Sequence, residues 1–298
     1  MQIIPTGAIL GATIEGLDLS RPMTDAEFGA VLAALGRRGV LRFPDQRLDS
    51  AQLRDFSARF GGLQTSITRQ NSADPFPEVG ILSNMKQDGA YIGTPDAGQD
   101  WHTDMSYNDV VGFVNVLYGL KIPHRDGRPL GGTEFANMHA AYDDLPDAFK
   151  ARFSNAVVVH DFEKFWEMMR REKGSPRPAL TAEQRAIRPP ASHPLFLTHP
   201  LTGRKVLYCN PGYAARILGL DPDESDAVLD HLFQHQLQAR YRHTHHWTEN
   251  DLLIWDHIGT IHQAIADYRP DEIRLIKRCQ VMADRVFSPA FRALANAA

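Results

Sequence analysis

Apolar residues recur at helical spacing in EFGAVLAALGRRG, and Thr24 and Glu27 stand before that run where a reciprocal cap belongs. The pattern predicts a helix that stops near Gly36 or Gly39. VLRF (Val40 to Phe43) follows as a short β-rich run closed by Pro44. A second helix, AQLRDFSARF, is expected with Ser50 as its cap and Gly61 and Gly62 at its end. The first third therefore reads strand, helix, strand, helix.

Beyond it the pattern turns β-branched and aromatic. VGILSN (Val79 to Asn84), WHTDMSY (Trp101 to Tyr107) and VNVLYGLKI (Val114 to Ile122) read as strands. TEFANM and one helix, AAYDDLPDAFKARF, come next. Gly174 to Pro194 holds five prolines, so it is expected as loop or lid rather than sheet or long helix. FLTHPLTGRKVLYCN reads as a hairpin around Thr202 and Gly203. Asp221, Pro222 and Glu224 open a helix to about Gln238, and LLIWD and RLIKRCQVM close the β pattern. Many short strands, with helices that do not alternate with them, predict a mainly β sandwich or barrel core rather than a doubly wound sheet. Neither G-x-G-x-x-G nor a P-loop stands in a strand–turn–helix context.

Composition narrows the class. A chain of 298 residues, 43% hydrophobic, can bury its own core. Its two cysteines, Cys209 and Cys279, are too few for a disulfide scaffold. The net charge of −4 argues against a nucleic-acid binder. With no basic n-region at the start and no apolar run near the roughly 18 residues of a membrane helix, a soluble cytoplasmic protein is expected, with no membrane partner.

The chemistry lies in the histidines. Two His-x-Asp triplets occur. His124-Arg125-Asp126 sits in PHRDGRP and reads as solvated loop. His102-Thr103-Asp104 sits in WHTDMSY, where strand alternation would aim both side chains at one ion. A third ligand is needed. WDHIGTIHQA offers His257 and His262, with His262 at the end of a short strand-like run. His243, His245 and His246 in RYRHTHHW read as a strand with one exposed face. Two histidines and one carboxylate suit a non-haem Fe(II) oxygenase, and equally a zinc hydrolase. Arg274 and Arg278, four apart on one expected strand, favour the oxygenase. Two guanidinium forks near an open metal suit a dicarboxylate co-substrate and an anionic substrate. A metal-dependent hydrolase and a small-acid-binding barrel are the competing readings.

In this combination the residues resemble the taurine dioxygenase / 2,4-dichlorophenoxyacetate dioxygenase family. GAILGATIEGLDL, VLRFPDQRLDSAQLRDFSARFGGL, WHTDMSY, PLGGTEFANMHAAYDDLP, THPLTGRKVLY and WDHIGTIHQA follow in the family's order. The resemblance implies a double-stranded β-helix (jelly-roll, cupin-like) core with flanking helices, and one domain over residues 1–298 with a lid or insert at 163–194. It implies Fe(II) held by His102, Asp104 and His262, and 2-oxoglutarate as co-substrate bound by Thr133 and Arg274. A small anionic organic substrate would face Arg278, with Asn84 and Tyr107 beside it; Arg69, Phe162 and Tyr213 are further lining candidates. The implied reaction consumes O2, releases succinate and CO2, and hydroxylates the substrate, with C–S or C–O cleavage where the new hydroxyl sits beside a heteroatom. A homodimer or homotetramer is implied by family analogy. Three departures bear on the substrate and its site. FGGLQTSITRQN lacks the histidine and tyrosine of the taurine enzymes. The position of their asparagine falls near Gly98. The stretch from His262 to Arg274 is one residue longer, in ADYRPDE. The first two argue against taurine.

Overall fold

The computed structural model describes residues 1–65, 72–73, 75–175 and 177–296. Its largest element is a nine-stranded sheet. Strands Gln2–Pro5, Ala12–Glu15, Val40–Phe43, Leu252–Asp256, Gly112–Lys121, Leu275–Met282, Phe76–Ser83 and Ser72–Ala73 lie side by side in that order, and Leu63–Gln64 pairs with the far end of Leu275–Met282. All pairings are antiparallel except that between Ala12–Glu15 and Val40–Phe43. A three-stranded sheet holds Thr133–Asn137 between Arg242–His245 and Thr260–Ala264. Another joins Val157–His160 to Ala191–Pro194 and Ala214–Ile217. Among the described residues no helix is long and apolar enough to cross a membrane.

Strand alternation gives the large sheet two apolar faces. On one, Leu41, Phe43, Val116 and Ile254 pack against Phe28, Leu32 and Leu35 of helix Asp25–Arg38 and Leu53 and Phe56 of helix Ser50–Ala58. On the other, Leu117, Leu253, Trp255 and Ile276 meet Phe135 and Trp247 from the side of the small sheet. The rings of Phe135 and Trp255 meet edge to face with centroids 5.3 Å apart. The site is built on this second face.

Helix Asp25–Arg38 is capped as its sequence predicts. Glu27 N donates to Thr24 Oγ1 at 3.2 Å, Glu27 Oε2 accepts from Thr24 N at 2.8 Å, and Gly39 ends the helix at φ 68°. Replacing Thr24 with alanine is expected to cost about 1 kcal/mol of unfolding free energy, read by urea denaturation.

Four expectations are corrected. The second helix is capped by Asp49, whose carboxylate reaches Gln52 N at 2.8 Å, and not by Ser50. The single helix expected over 140–153 is two, Met138–Asp143 and Asp147–Arg152, because Pro146 interrupts it. The proline-rich segment does enter a sheet. Ala191–Pro194 is an edge strand paired only to Val157–His160, where proline is tolerated, and Ala182–Ile187 is a short helix capped by Thr181. The loop at His124-Arg125-Asp126 is a tight hairpin, His124–Arg125 against Arg128–Pro129. Asp126 and Gly127 at φ 50° and 75° form its turn.

Candidate active site

His102 and His262 are neighbours through their main chains. His102 N donates to His262 O at 2.9 Å and His262 N to His102 O at 2.8 Å. That exchange sets the two imidazoles side by side, with centroids 4.3 Å apart. On its other edge His262 pairs with Phe135, so it lies inside a sheet rather than at a free end.

Asp104 arrives by a different route from the one the strand pattern suggested. Only His102 of WHTDMSY forms a bridge, and the chain then turns through Met105 at φ 62°. A left-handed methionine costs about 1–3 kcal/mol of backbone strain. The turn, not i and i+2 alternation, carries Asp104 back to His102. Asp104 Oδ1 lies 3.4 Å from His102 Nε2, and Oδ2 lies 4.0 Å from His262 Nε2. Among the described residues these three form the one group of His, Cys, Asp or Glu side chains whose ligating atoms converge, all within 4.8 Å of one another.

Their protonation suits a cation. His102 Nδ1 lies 2.6 Å from the Asp100 carbonyl, a contact that fixes the ring and leaves Nε2 facing Asp104. Burial holds the His262 imidazole well below its usual range, with His102 adding to the effect. Burial alone would raise the Asp104 carboxyl. His102, Arg278 and His262 outweigh it and hold the group well below the usual carboxylate range. Two imidazole nitrogens and one carboxylate oxygen that converge on one point form a donor set that fits Fe(II) with open positions.

Asn115 and Phe165, absent from the sequence expectations, pack on this set. Asn115 Nδ2 donates to Asp104 Oδ2 at 2.9 Å. The signal for it was a lone amide inside the apolar run VNVLYGL. Phe165 lies against His102 with centroids 4.9 Å apart. Gly98, at φ 71°, lies where a Cβ would sit 3.2 Å from His102 Cε1, so the imidazole occupies the space an asparagine would need. His257 lies behind the triad, its ring 5.8 Å from that of His262. Thr103 Oγ1 donates to its carbonyl at 2.8 Å. Burial lowers its imidazole to about 4. His243 and His245 lie in strand Arg242–His245, away from the triad, and His245 pairs with Asp251.

Arg274 is 6% exposed, and among the described residues it forms no ion pair; its Nε has no hydrogen-bond partner. Burial works against its charge, with Tyr268 and Asp267 favouring it. A buried guanidinium with no carboxylate in ion-pair contact among the described residues calls for an anion. Gly131, at φ 70°, lies where a Cβ would sit 2.9 Å from Arg274 Cδ and Nε. Two residues on, buried Thr133 accepts from Trp247 Nε1 at 3.0 Å and keeps its own proton to donate. These two side chains fit a carboxylate co-substrate.

Arg278 lies elsewhere, with Nη1 3.8 Å from Asp104 Oδ2. It shares with Tyr107 a cavity of about 400 Å³, whose lining includes Phe162, Trp166 and Leu180. Tyr107 packs on Phe162 and Tyr213 with centroids 4.8 Å away in each case, and burial pushes its phenol up to about 12, so it is a neutral donor. Asn84 does not line this cavity. Its Nδ2 donates to Glu272 O at 3.0 Å and its Oδ1 accepts from Arg274 N at 2.9 Å, so its amide is engaged by the loop before Arg274. Arg69 lies outside the described residues.

The comparisons agree with this chemistry. The family description "Taurine catabolism dioxygenase TauD, TfdA family" matches residues 2–280. The chain is 30% identical to the pentalenolactone F synthase of Streptomyces avermitilis over 296 residues, covering 95% of this chain and 94% of that one. It is 32% identical to the (S)-phenoxypropionate/alpha-ketoglutarate-dioxygenase of Delftia acidovorans over 279 residues, 89% of each. A crystal structure of AAD-2 in complex with Mn(II) and N-oxalylglycine superposes with a TM-score of 0.79 at 26% identity, covering 95% of this chain and 97% of that one. The chain belongs to the TauD/TfdA family and is an Fe(II)- and 2-oxoglutarate-dependent dioxygenase.

Proposed function

We propose that His102, Asp104 and His262 hold the iron, that Thr133 and Arg274 bind the distal carboxylate of 2-oxoglutarate, and that Arg278 and Tyr107 face a small anionic organic substrate. The observation that carries this reading is the separation of the two arginines. Arg274 is buried beside Gly131, while Arg278 lines the cavity next to Asp104. One guanidinium is available to each of two different anions. Bound Fe(II) with 2-oxoglutarate supplies the oxidising chemistry: O2 is consumed, succinate and CO2 leave, and a substrate C–H becomes C–OH.

The chain's own residues orient and shield. Asn115 and the His102 Nδ1 contact fix the ligand atoms, as supporting hydrogen bonds do in metal sites. Arg278 anchors the substrate's anionic end so that a neighbouring carbon faces the three ligands, and Phe162, Trp166 and Leu180 cover its apolar body. A cavity this large and this aromatic favours an acid with a ring or branched body over taurine, consistent with the missing histidine and tyrosine. Where the hydroxylated carbon bears oxygen or sulfur, the product falls apart with C–O or C–S cleavage.

The core is read as a double-stranded β-helix formed by the large sheet and the Thr133–Asn137 sheet, within one domain over 1–298. Segment 163–194 is read as its lid, since Trp166 and Leu180 line the cavity. A homodimer or homotetramer is expected by family analogy.

The test is succinate release from 2-oxoglutarate with Fe(II) and ascorbate, across sulfonates, alkyl sulfates, aryloxyalkanoates and plain carboxylates. Stimulation by one class supports the reading and names the substrate. Iron-loaded enzyme that yields no succinate with any of them overturns it. An Arg278→Ala enzyme is expected to raise KM for the organic acid about tenfold, the lower end of a charge-assisted contact because the side chain is 26% exposed, and to leave 2-oxoglutarate binding unchanged.

A further inference from the structure

The loop that leads into Arg274 is held from outside by the triplet set aside as mere turn. Arg125 stands next to the Asp126–Gly127 turn of its hairpin. Its Nε donates to Glu272 Oε1 at 2.8 Å while its Nη2 meets Oε2, a bidentate pair joining positions 147 residues apart. Arg125 Nη2 also reaches the Asp267 carbonyl at 3.2 Å. The other end of the loop is tied in as well, since Gly131 N donates to Asp267 Oδ1 at 2.7 Å. Hydrogen bonds from Arg125 first, and from Arg269 N next, lower the Glu272 carboxyl to about 2, so the pair is charged at any working pH. The main chain of Arg274 is pinned on both sides. Asn84 Oδ1 accepts from its N at 2.9 Å, and Ser83 Oγ donates to its carbonyl at 2.7 Å.

We infer that Arg125, through Glu272, is a positioning residue for the co-substrate: it fixes the 267–273 loop so that the Arg274 guanidinium is set in place before 2-oxoglutarate arrives. The inference rests on the reading that Arg274 binds 2-oxoglutarate. A loop of this kind, carrying the extra residue of ADYRPDE, has many conformations to lose. If it is left free, that entropy is lost when the ligand binds and affinity falls. Arg125 contacts none of the three converging ligands and does not line the Arg278 cavity, so its effect is expected on 2-oxoglutarate alone.

The experiment is an anaerobic titration of Fe(II)-loaded enzyme with 2-oxoglutarate, followed by its weak visible charge-transfer band. The variants are Arg125→Met, Glu272→Gln, the double variant and Arg274→Met. Arg125→Met and Glu272→Gln are each expected to weaken 2-oxoglutarate about tenfold, as loss of a supporting contact does, with the double variant no weaker than either single one. Fe(II) affinity, KM for the organic substrate and kcat at saturating 2-oxoglutarate should stay at the parent values. If Arg274→Met weakens 2-oxoglutarate while the Arg125 and Glu272 variants bind within twofold of the parent, the inference is overturned and the reading of Arg274 stands. If Arg274→Met binds normally, that reading falls and the inference with it. A loss of iron and substrate affinity alongside 2-oxoglutarate would mark a general structural role and also overturn it. Should Arg125→Met fail to fold, the isosteric Glu272→Gln carries the same outcomes.

Discussion

An Asp104→Ala enzyme is expected to show no 2-oxoglutarate turnover above background and to bind Fe(II) weakly, yet to remain folded. Activity should fall because the carboxylate is the charged member of the three converging donors, and two imidazoles alone bind a divalent cation poorly. Stability should fall only modestly, because the favourable contacts of the carboxylate are partly offset by the cost of burying it. It is 6% exposed and offset only by neighbours at 3.4 to 4.0 Å and by Asn115. Removing a buried charge relieves its desolvation, while Asn115 loses its acceptor at about 1–3 kcal/mol. The two terms oppose each other. Metal analysis and a thermal melt read both at once: lost iron with a Tm within a few degrees of the parent supports the assignment, and full activity in this variant would sink it.

An Arg274→Ala enzyme is expected to lose about 2–5 kcal/mol of 2-oxoglutarate binding, roughly thirtyfold to several thousandfold, with the organic substrate hardly affected. The effect should exceed that of Arg278→Ala because Arg274 is almost wholly buried and no carboxylate of the described chain pairs with it. Its partner must come from outside, and in a site with little water the pair is strong. Removing the guanidinium also relieves the burial of a charge that Tyr268 and Asp267 only partly offset, so the ligand-free protein should be about as stable as the parent. Titrations of 2-oxoglutarate and of the organic substrate, run separately, check the assignment. An enzyme that lost the organic substrate instead would exchange the roles of the two arginines.

What the sequence revealed was mostly local. Thr24 and Glu27 marked a helix start because a capping box is complete within four residues. Val40–Phe43, Leu252–Asp256 and Leu275–Met282 announced themselves by composition, and the triad was legible through family order. The remainder depends on contacts distant in sequence or on conformations that propensity does not forecast. Nothing in WHTDMSY foretold a methionine at φ 62°, so the expected convergence of His102 and Asp104 is produced by a different geometry. Asn84 was placed beside the substrate by the resemblance, and local sequence gives no sign that its amide is engaged by a loop 185 or more residues away. Arg125 read as solvated because its partner Glu272 is equally remote. The proline-rich strand was missed since only tertiary context makes it an edge.

The reciprocal main-chain bonds between His102 and His262 have a consequence for metal supply. Two of the donors are set side by side by amides and carbonyls, so the chain can finish folding without its ion, unlike small domains that take shape only around one. Such a preset, open triad ranks divalent ions by their intrinsic affinities, and copper and zinc stand above iron on that scale. Geometry here gives little power to refuse them. Which ion the newly made enzyme acquires is therefore decided by the concentrations of free metals in its surroundings, and mismetallation, rather than unfolding, is the way this enzyme would be silenced when zinc is abundant.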